Sequence, residues 1–229
     1  MTTKAVIFDL DGTLASFNLD YMAVRAEVRG LLINRGVPAS LLMTNESIFD
    51  MLKKVEIFLK NNGKPGRTFE KMRREVLLLA EKYEMEAAKT TSLIPGAVET
   101  LEELKRMGLK IGLCTINSEK STSYILERFR IARFFDVIVP RDKVKYVKPN
   151  TEHLEAALHA LRVDPDEALI IGDGRRDMQC ASELGVTAVG FPTGLCTGKE
   201  LTDSGAAYLI DMLTELPSLV QRLNDESTQ

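Results

Sequence analysis

Five short apolar runs constrain this chain more than any other feature: Ala5–Phe8, Lys110–Cys114, Phe135–Val139, Ala168–Ile171 and Thr187–Phe191. Most are aliphatic almost without interruption, as strands become when helices cover both faces of a parallel sheet. Helical stretches separate them at Gly96 to Met107, Glu119 to Phe129, Thr151 to Leu161 and Arg176 to Leu184. Gly108 and Gly185 stand just past two of these, where helices commonly end.

This alternation predicts an α/β fold, a doubly wound Rossmann-like parallel sheet with right-handed crossovers. One segment breaks it. Residues 17–92 contain no convincing strand but three long helical patterns, roughly Asp20–Arg35, Thr44–Lys60 and Arg67–Lys89. The run Asn61-Asn62-Gly63-Lys64-Pro65-Gly66 punctuates them. A helical block between strands one and two reads as an inserted subdomain. The expected division is therefore residues 1–16 with 93–229 as an α/β core and 17–92 as a helical cap, a lid that excludes water and selects ligands.

Composition narrows the function. The 229 residues carry 30 Lys+Arg against 33 Asp+Glu, a net charge of −3. That balance argues against affinity gained by coating nucleic-acid phosphates. No apolar run reaches the roughly 20 residues that cross a bilayer, and the N-terminus meets Asp9 too soon for a signal peptide. Three scattered cysteines make neither a disulfide framework nor a CxxC clip, so the expected location is the cytoplasm. The polar tail from Asn224 to Gln229 is expected to fray.

In an open α/β sheet, ligands bind beyond the carboxyl ends of the strands, where strand order reverses. Strand one ends in Asp9-Leu10-Asp11-Gly12-Thr13, and strand two in Thr115 with Asn117 close behind. The loop after strand three carries Lys145 and Lys148-Pro149, and strand four ends in Gly172-Asp173-Gly174 with Asp177 beyond. Carboxylates gathered so densely repel one another and take up protons unless a cation neutralises them. Few hard oxygen ligands around an open site suit Mg²⁺ with a substrate phosphate. A threonine hydroxyl and a lysine ammonium supply donors for the other phosphate oxygens. One carboxylate can then act as a nucleophile, giving an acyl phosphate that water hydrolyses.

The ordered motifs VIFDLDGTL, LCT, VKP and IGDGRRD make the chain resemble the haloacid dehalogenase-like hydrolase superfamily along its whole length. The resemblance implies Asp9 as nucleophile and Asp11 as general acid and base. It implies Mg²⁺ held by Asp9, the backbone carbonyl of Asp11 and Asp173, with Thr115 and Lys148 binding the phosphoryl group. Asp177 would orient the lysine or a metal-bound water, and Asn117 would touch the substrate. An acid at Asp11 points to phosphate esters rather than carbon–halogen bonds, since an alkoxide leaves poorly without a proton. The insert resembles the cap of the phosphoglycolate phosphatase and β-phosphoglucomutase branches, which implies a small phosphorylated metabolite, phosphoglycolate-like or a sugar phosphate. No nucleic-acid or membrane partner is expected, and the chain would be a monomer or homodimer. The motifs GDGRRDM and KPN depart from the commonest forms and leave the subfamily open.

Other residues receive plainer readings. Cys114 is expected to be a buried, inert thiol, and Lys145 a solvated lysine. His153 and His159 share a helix away from the carboxylates, with no role in chemistry. The stretch Gly194–Glu200 is one residue short of a phosphate loop and reads as a surface loop. Of the cap arginines 25, 29, 67, 73 and 74, Arg67 is favoured as a cation for an anionic substrate. The rivals are a phosphomutase, told apart by whether a hexose 1-phosphate gives isomer or free phosphate, and a catalytically idle binding module on the same fold.

Overall fold

The computed structural model describes residues 2–16 and 18–226. Phe17, the expected first residue of the insert, and residues 227–229 of the tail lie outside that description. Contacts divide the chain into two compact units, Met1–Phe17 with Thr91–Gln229, and Asn18–Thr90.

In the larger unit, six described strands form one sheet in the order β3-β2-β1-β4-β5-β6. They are β1 (Ala5–Phe8), β2 (Lys110–Thr115), β3 (Val137–Pro140), β4 (Ala168–Gly172), β5 (Thr187–Gly190) and β6 (Tyr208–Leu209). Every pairing is parallel; Phe8 stands level with Leu113 on one side and Ile171 on the other. The order reverses at β1, which places the ends of β1 and β4 at the switch point.

The crossover helices are α4 (Ala97–Arg106), α5 (Glu119–Arg128), α6 (Thr151–Leu161), α7 (Arg175–Leu184) and α8 (Gly198–Asp203), and α9 (Leu216–Glu226) follows the last strand. Ile7, Ile170, Cys114, Leu154 and Met178 belong to one buried core among them. Residues 14–16 and 92–94 run side by side at the insertion point, with Ile94 N–H donating to the Leu14 carbonyl at 2.9 Å and Ser16 N–H to that of Ser92 at 2.8 Å.

The smaller unit consists of α1 (Tyr21–Asn34), α2 (Ile48–Asn61) and α3 (Gly66–Thr90). Val24, Val28 and Leu32 recur every four residues on α1 and meet Met51, Val55, Phe69, Met72 and Val76. The expected start of the middle helix at Thr44 is early by one turn: Ser47 accepts from the Asp50 N–H and Asp50 answers, a capping box that starts α2 at Ile48.

Three expectations need correction in the larger unit. Strand three begins at Val137, because the Asp136 carboxylate takes the Ile111 N–H at 2.7 Å in place of a ladder partner. The stretch ending at Glu200 is not all loop, since Thr197 and Glu200 form a capping box that opens α8. Nor does the tail fray at Asn224: α9 continues to Glu226, and Asn224 Oδ1 accepts from Thr3 N–H at 2.6 Å. No helix among the described residues is long and apolar enough to cross a membrane.

Candidate active site

The chain leaves β1 at Asp9, whose N–H donates to the Ile171 carbonyl of β4 at 3.0 Å. That bond continues the sheet by one residue and aims the first carboxylate toward the end of β4. Asp173 follows β4 directly, and Asp177 lies in the first turn of α7. One oxygen from each of Asp9, Asp173 and Asp177 falls within 4.8 Å of the others. Two glycines make this approach possible. A Cβ on Gly12, whose φ is +77°, would stand 2.1 Å from Asp173 Oδ2, and one on Gly172 would stand 2.6 Å from Asp177 Cγ.

Lys148 reaches the cluster from the loop before α6. Its Nζ donates to Asp9 Oδ1 at 2.9 Å, to Asp177 Oδ1 at 2.5 Å and to the Cys114 carbonyl at 2.6 Å. Burial opposes the ammonium charge, but Asp177 and Asp9 outweigh it, so the lysine titrates well above 10.5. Burial also lifts the Asp9 carboxyl to about 6, against the pull of Lys148. Asp173 rises further, to about 8, through burial and then the charges of Asp9 and Asp177.

One lysine does not neutralise three carboxylates. Asp173 is buried, and its Oδ2 has no hydrogen-bond partner among the described residues. An orphaned carboxyl oxygen facing two more carboxylates is a poor solution for a protein alone and a good one for a hard divalent cation. The donor set thus fits a Mg²⁺-type ion.

The remaining strand ends complete the arrangement. Thr115 closes β2 and is buried; its Oγ1 accepts from the Asn117 N–H at 3.2 Å. Asn117 in turn donates from Nδ2 to Asp11 Oδ2 at 2.8 Å. The sequence singled out Asn117 for the substrate; the structure gives its amide a partner inside the site, the second aspartate of the motif. Arg141, which sequence reasoning missed, holds this turn from behind. Its N–H donates to the Asn117 carbonyl at 3.0 Å and its Nη1 to that of Ile116 at 3.1 Å.

Accessibility sorts the acids. Asp9 and Asp11 are partly open, with 14% of the Asp9 side chain exposed, whereas Asp173 and Asp177 are buried. Cys114 is a buried thiol whose pKa burial pushes far up, and Lys145 is exposed. Arg67 is exposed in the first turn of α3, in the helical unit. His159 is exposed, but His153 is wholly buried with a ring nitrogen against the Lys148 N–H. A histidine within the buried stripe Leu154, Ala157, Leu158 and Leu161 of α6 was the available signal for it.

Comparisons with known proteins point to one family. Residues 6–191 match the family described as haloacid dehalogenase-like hydrolase. Pyrophosphatase PpaX of Bacillus mycoides is 32% identical over 126 residues, 55% of this chain and 59% of that protein. Phosphoglycolate phosphatase of Salmonella typhi is 29% identical over 229 residues, covering 93% of this chain and 90% of its own. Among solved structures, a hydrolase from Pseudomonas syringae superposes with a TM-score of 0.66 at 25% identity, over 96% of this chain and 99% of that one. Motifs, sheet order and the match over most of its length lead to one assignment: the chain belongs to the haloacid dehalogenase-like hydrolase family.

Proposed function

We propose that this protein is a phosphatase acting on a small phosphorylated metabolite, phosphoglycolate-like or a sugar phosphate, through a phospho-aspartate. The observation that carries the reading is the placement of Asp9, partly open and 2.9 Å from the Lys148 ammonium, against two buried carboxylates. The phosphatases among its relatives support it. Three free thiols are consistent with a cytoplasmic enzyme.

Asp9, the Asp11 carbonyl and Asp173 would hold Mg²⁺, which supplies positive charge beside the phosphoryl oxygens when bound. An Asp9 carboxylate oxygen attacks phosphorus, and the bond to the ester oxygen breaks as Asp11 gives that oxygen a proton. Asp11, now a carboxylate held by the Asn117 amide, removes a proton from water. The resulting hydroxide attacks phosphorus, breaks the bond to Asp9 and frees inorganic phosphate. Lys148 and Thr115 donate to the phosphoryl oxygens. Asp177 keeps the lysine charged and aimed at Asp9.

A panel of phosphorylated metabolites tests this, with released phosphate as the readout and Mg²⁺ present or chelated by EDTA. The expected result is Mg²⁺-dependent release from small esters. A hexose 1-phosphate yielding only its isomer would make the enzyme a mutase, and silence across the panel would make it an idle module.

A further inference from the structure

Behind Lys148 lies a group that the chemistry above does not use. His153, in the first turn of α6, has no exposed surface. Its Nε2 is 3.0 Å from the Val139 carbonyl of β3, and its Nδ1 is 3.4 Å from the Lys148 N–H. A carbonyl only accepts and an amide N–H only donates, so these partners assign the tautomer. The proton sits on Nε2 and the lone pair on Nδ1. Burial, then the Lys148 charge, push the ring pKa down to about 3, so it stays neutral.

The other buried residues of α6, Leu154, Ala157, Leu158 and Leu161, are all aliphatic. Packing therefore does not call for an imidazole; the two backbone groups do. A leucine would strip both of their partners in a buried place. The Cys114 thiol also donates to the His153 carbonyl at 3.6 Å, while the Cys114 carbonyl accepts from Lys148 Nζ. The lysine loop, the end of β2, the end of β3 and the start of α6 are tied together around this one ring.

We propose that His153 is a positioning residue for Lys148, a neutral imidazole that clamps the lysine's backbone to β3 and so fixes where its ammonium meets a bound phosphate. This inference rests on the phosphatase reading. It is tested by the affinity of the Mg²⁺-loaded protein for inorganic phosphate, measured by calorimetry. The proteins compared are wild type, His153→Leu, His153→Asn, Lys148→Met and the His153→Leu/Lys148→Met double variant.

His153→Leu should weaken phosphate binding about tenfold, as loss of a partner behind a ligand-binding side chain commonly does. Asparagine keeps an acceptor near the place of Nδ1 and should restore affinity to within about threefold. In the Lys148→Met background, the leucine should cost no further affinity. Unaltered binding by His153→Leu, equal losses for leucine and asparagine, or additive losses with Lys148→Met would overturn the clamp. If His153→Leu does not fold, ring-nitrogen NMR of the wild type decides: a proton on Nε2 supports the clamp and one on Nδ1 refutes it. A wild type that neither binds phosphate nor releases it from any ester would instead overturn the phosphatase reading, and the clamp with it.

Discussion

The two units bury different things. Inside the helical unit the buried side chains are aliphatic or aromatic apart from Ser47 and Glu84, and ion pairs such as Lys89–Glu86 sit in solvent. At the carboxyl end of the sheet the larger unit buries Lys148, Asp173, Asp177, Arg141, His153 and Asn117 side by side. Desolvating a charge costs several kcal/mol unless it is closely paired. An interior that carries so many such groups is organised for chemistry, whereas one of Val, Leu and Met is organised to hold three helices together.

This contrast can be broken in several places, beginning where the effect should be greatest. Asp9→Asn removes the attacking oxygen and should lower turnover by about 10³-fold or more, with circular dichroism unchanged. Retained hydrolysis would remove Asp9 from the mechanism. Lys148→Met leaves Asp9 and Asp177 without their shared cation and should cost about 3–5 kcal/mol of stability in metal-free protein. Met51→Ala in the helical unit should cost a similar amount, about 2–5 kcal/mol, through a cavity instead. Mg²⁺ separates the two: in denaturant unfolding it should recover part of the loss for Lys148→Met, whose unpaired carboxylates it neutralises, and none of the cavity loss for Met51→Ala.

The pH dependence sharpens the same point. The folded-state values of Asp9 and Asp173, about 6 and about 8, lie above the ordinary 3.8. Each group therefore favours the fold when protonated; its contribution is full below about pH 4 and is lost as pH rises through the folded value. Metal-free protein should lose stability between about pH 4 and about pH 8, and the rise in Tm on adding Mg²⁺ should grow over that interval. A Mg²⁺ shift that is flat with pH would detach the ion from these acids. The smallest effect belongs to Asn117→Ala. It should slow alkyl phosphates about tenfold and nitrophenyl phosphate less, because only the alkoxide needs the proton that Asp11 delivers.

What the sequence made legible follows from distance along the chain. Strands β1 and β4 announce themselves as unbroken apolar runs, and the acids at their tips follow within a few residues. The helices of the smaller unit show through the spacing of Val24, Val28 and Leu32. Strand β6 has two residues and α8 six, too short to produce a period. The bond from Asn117 to Asp11 spans 106 positions, and no local pattern reports it. His153 was hidden for another reason: both ring partners are backbone groups, which carry no residue identity to be read.

The most direct test is to catch the phosphoryl group on its acceptor. Wild type and Asp11→Asn would be mixed with an accepted phosphate ester and Mg²⁺, quenched within milliseconds and treated with borohydride, which reduces an aspartyl phosphate to homoserine. Peptide mass spectrometry should find homoserine at position 9, dependent on both ester and Mg²⁺. Homoserine at another aspartate, or an unmodified position 9 under steady turnover, would contradict the account.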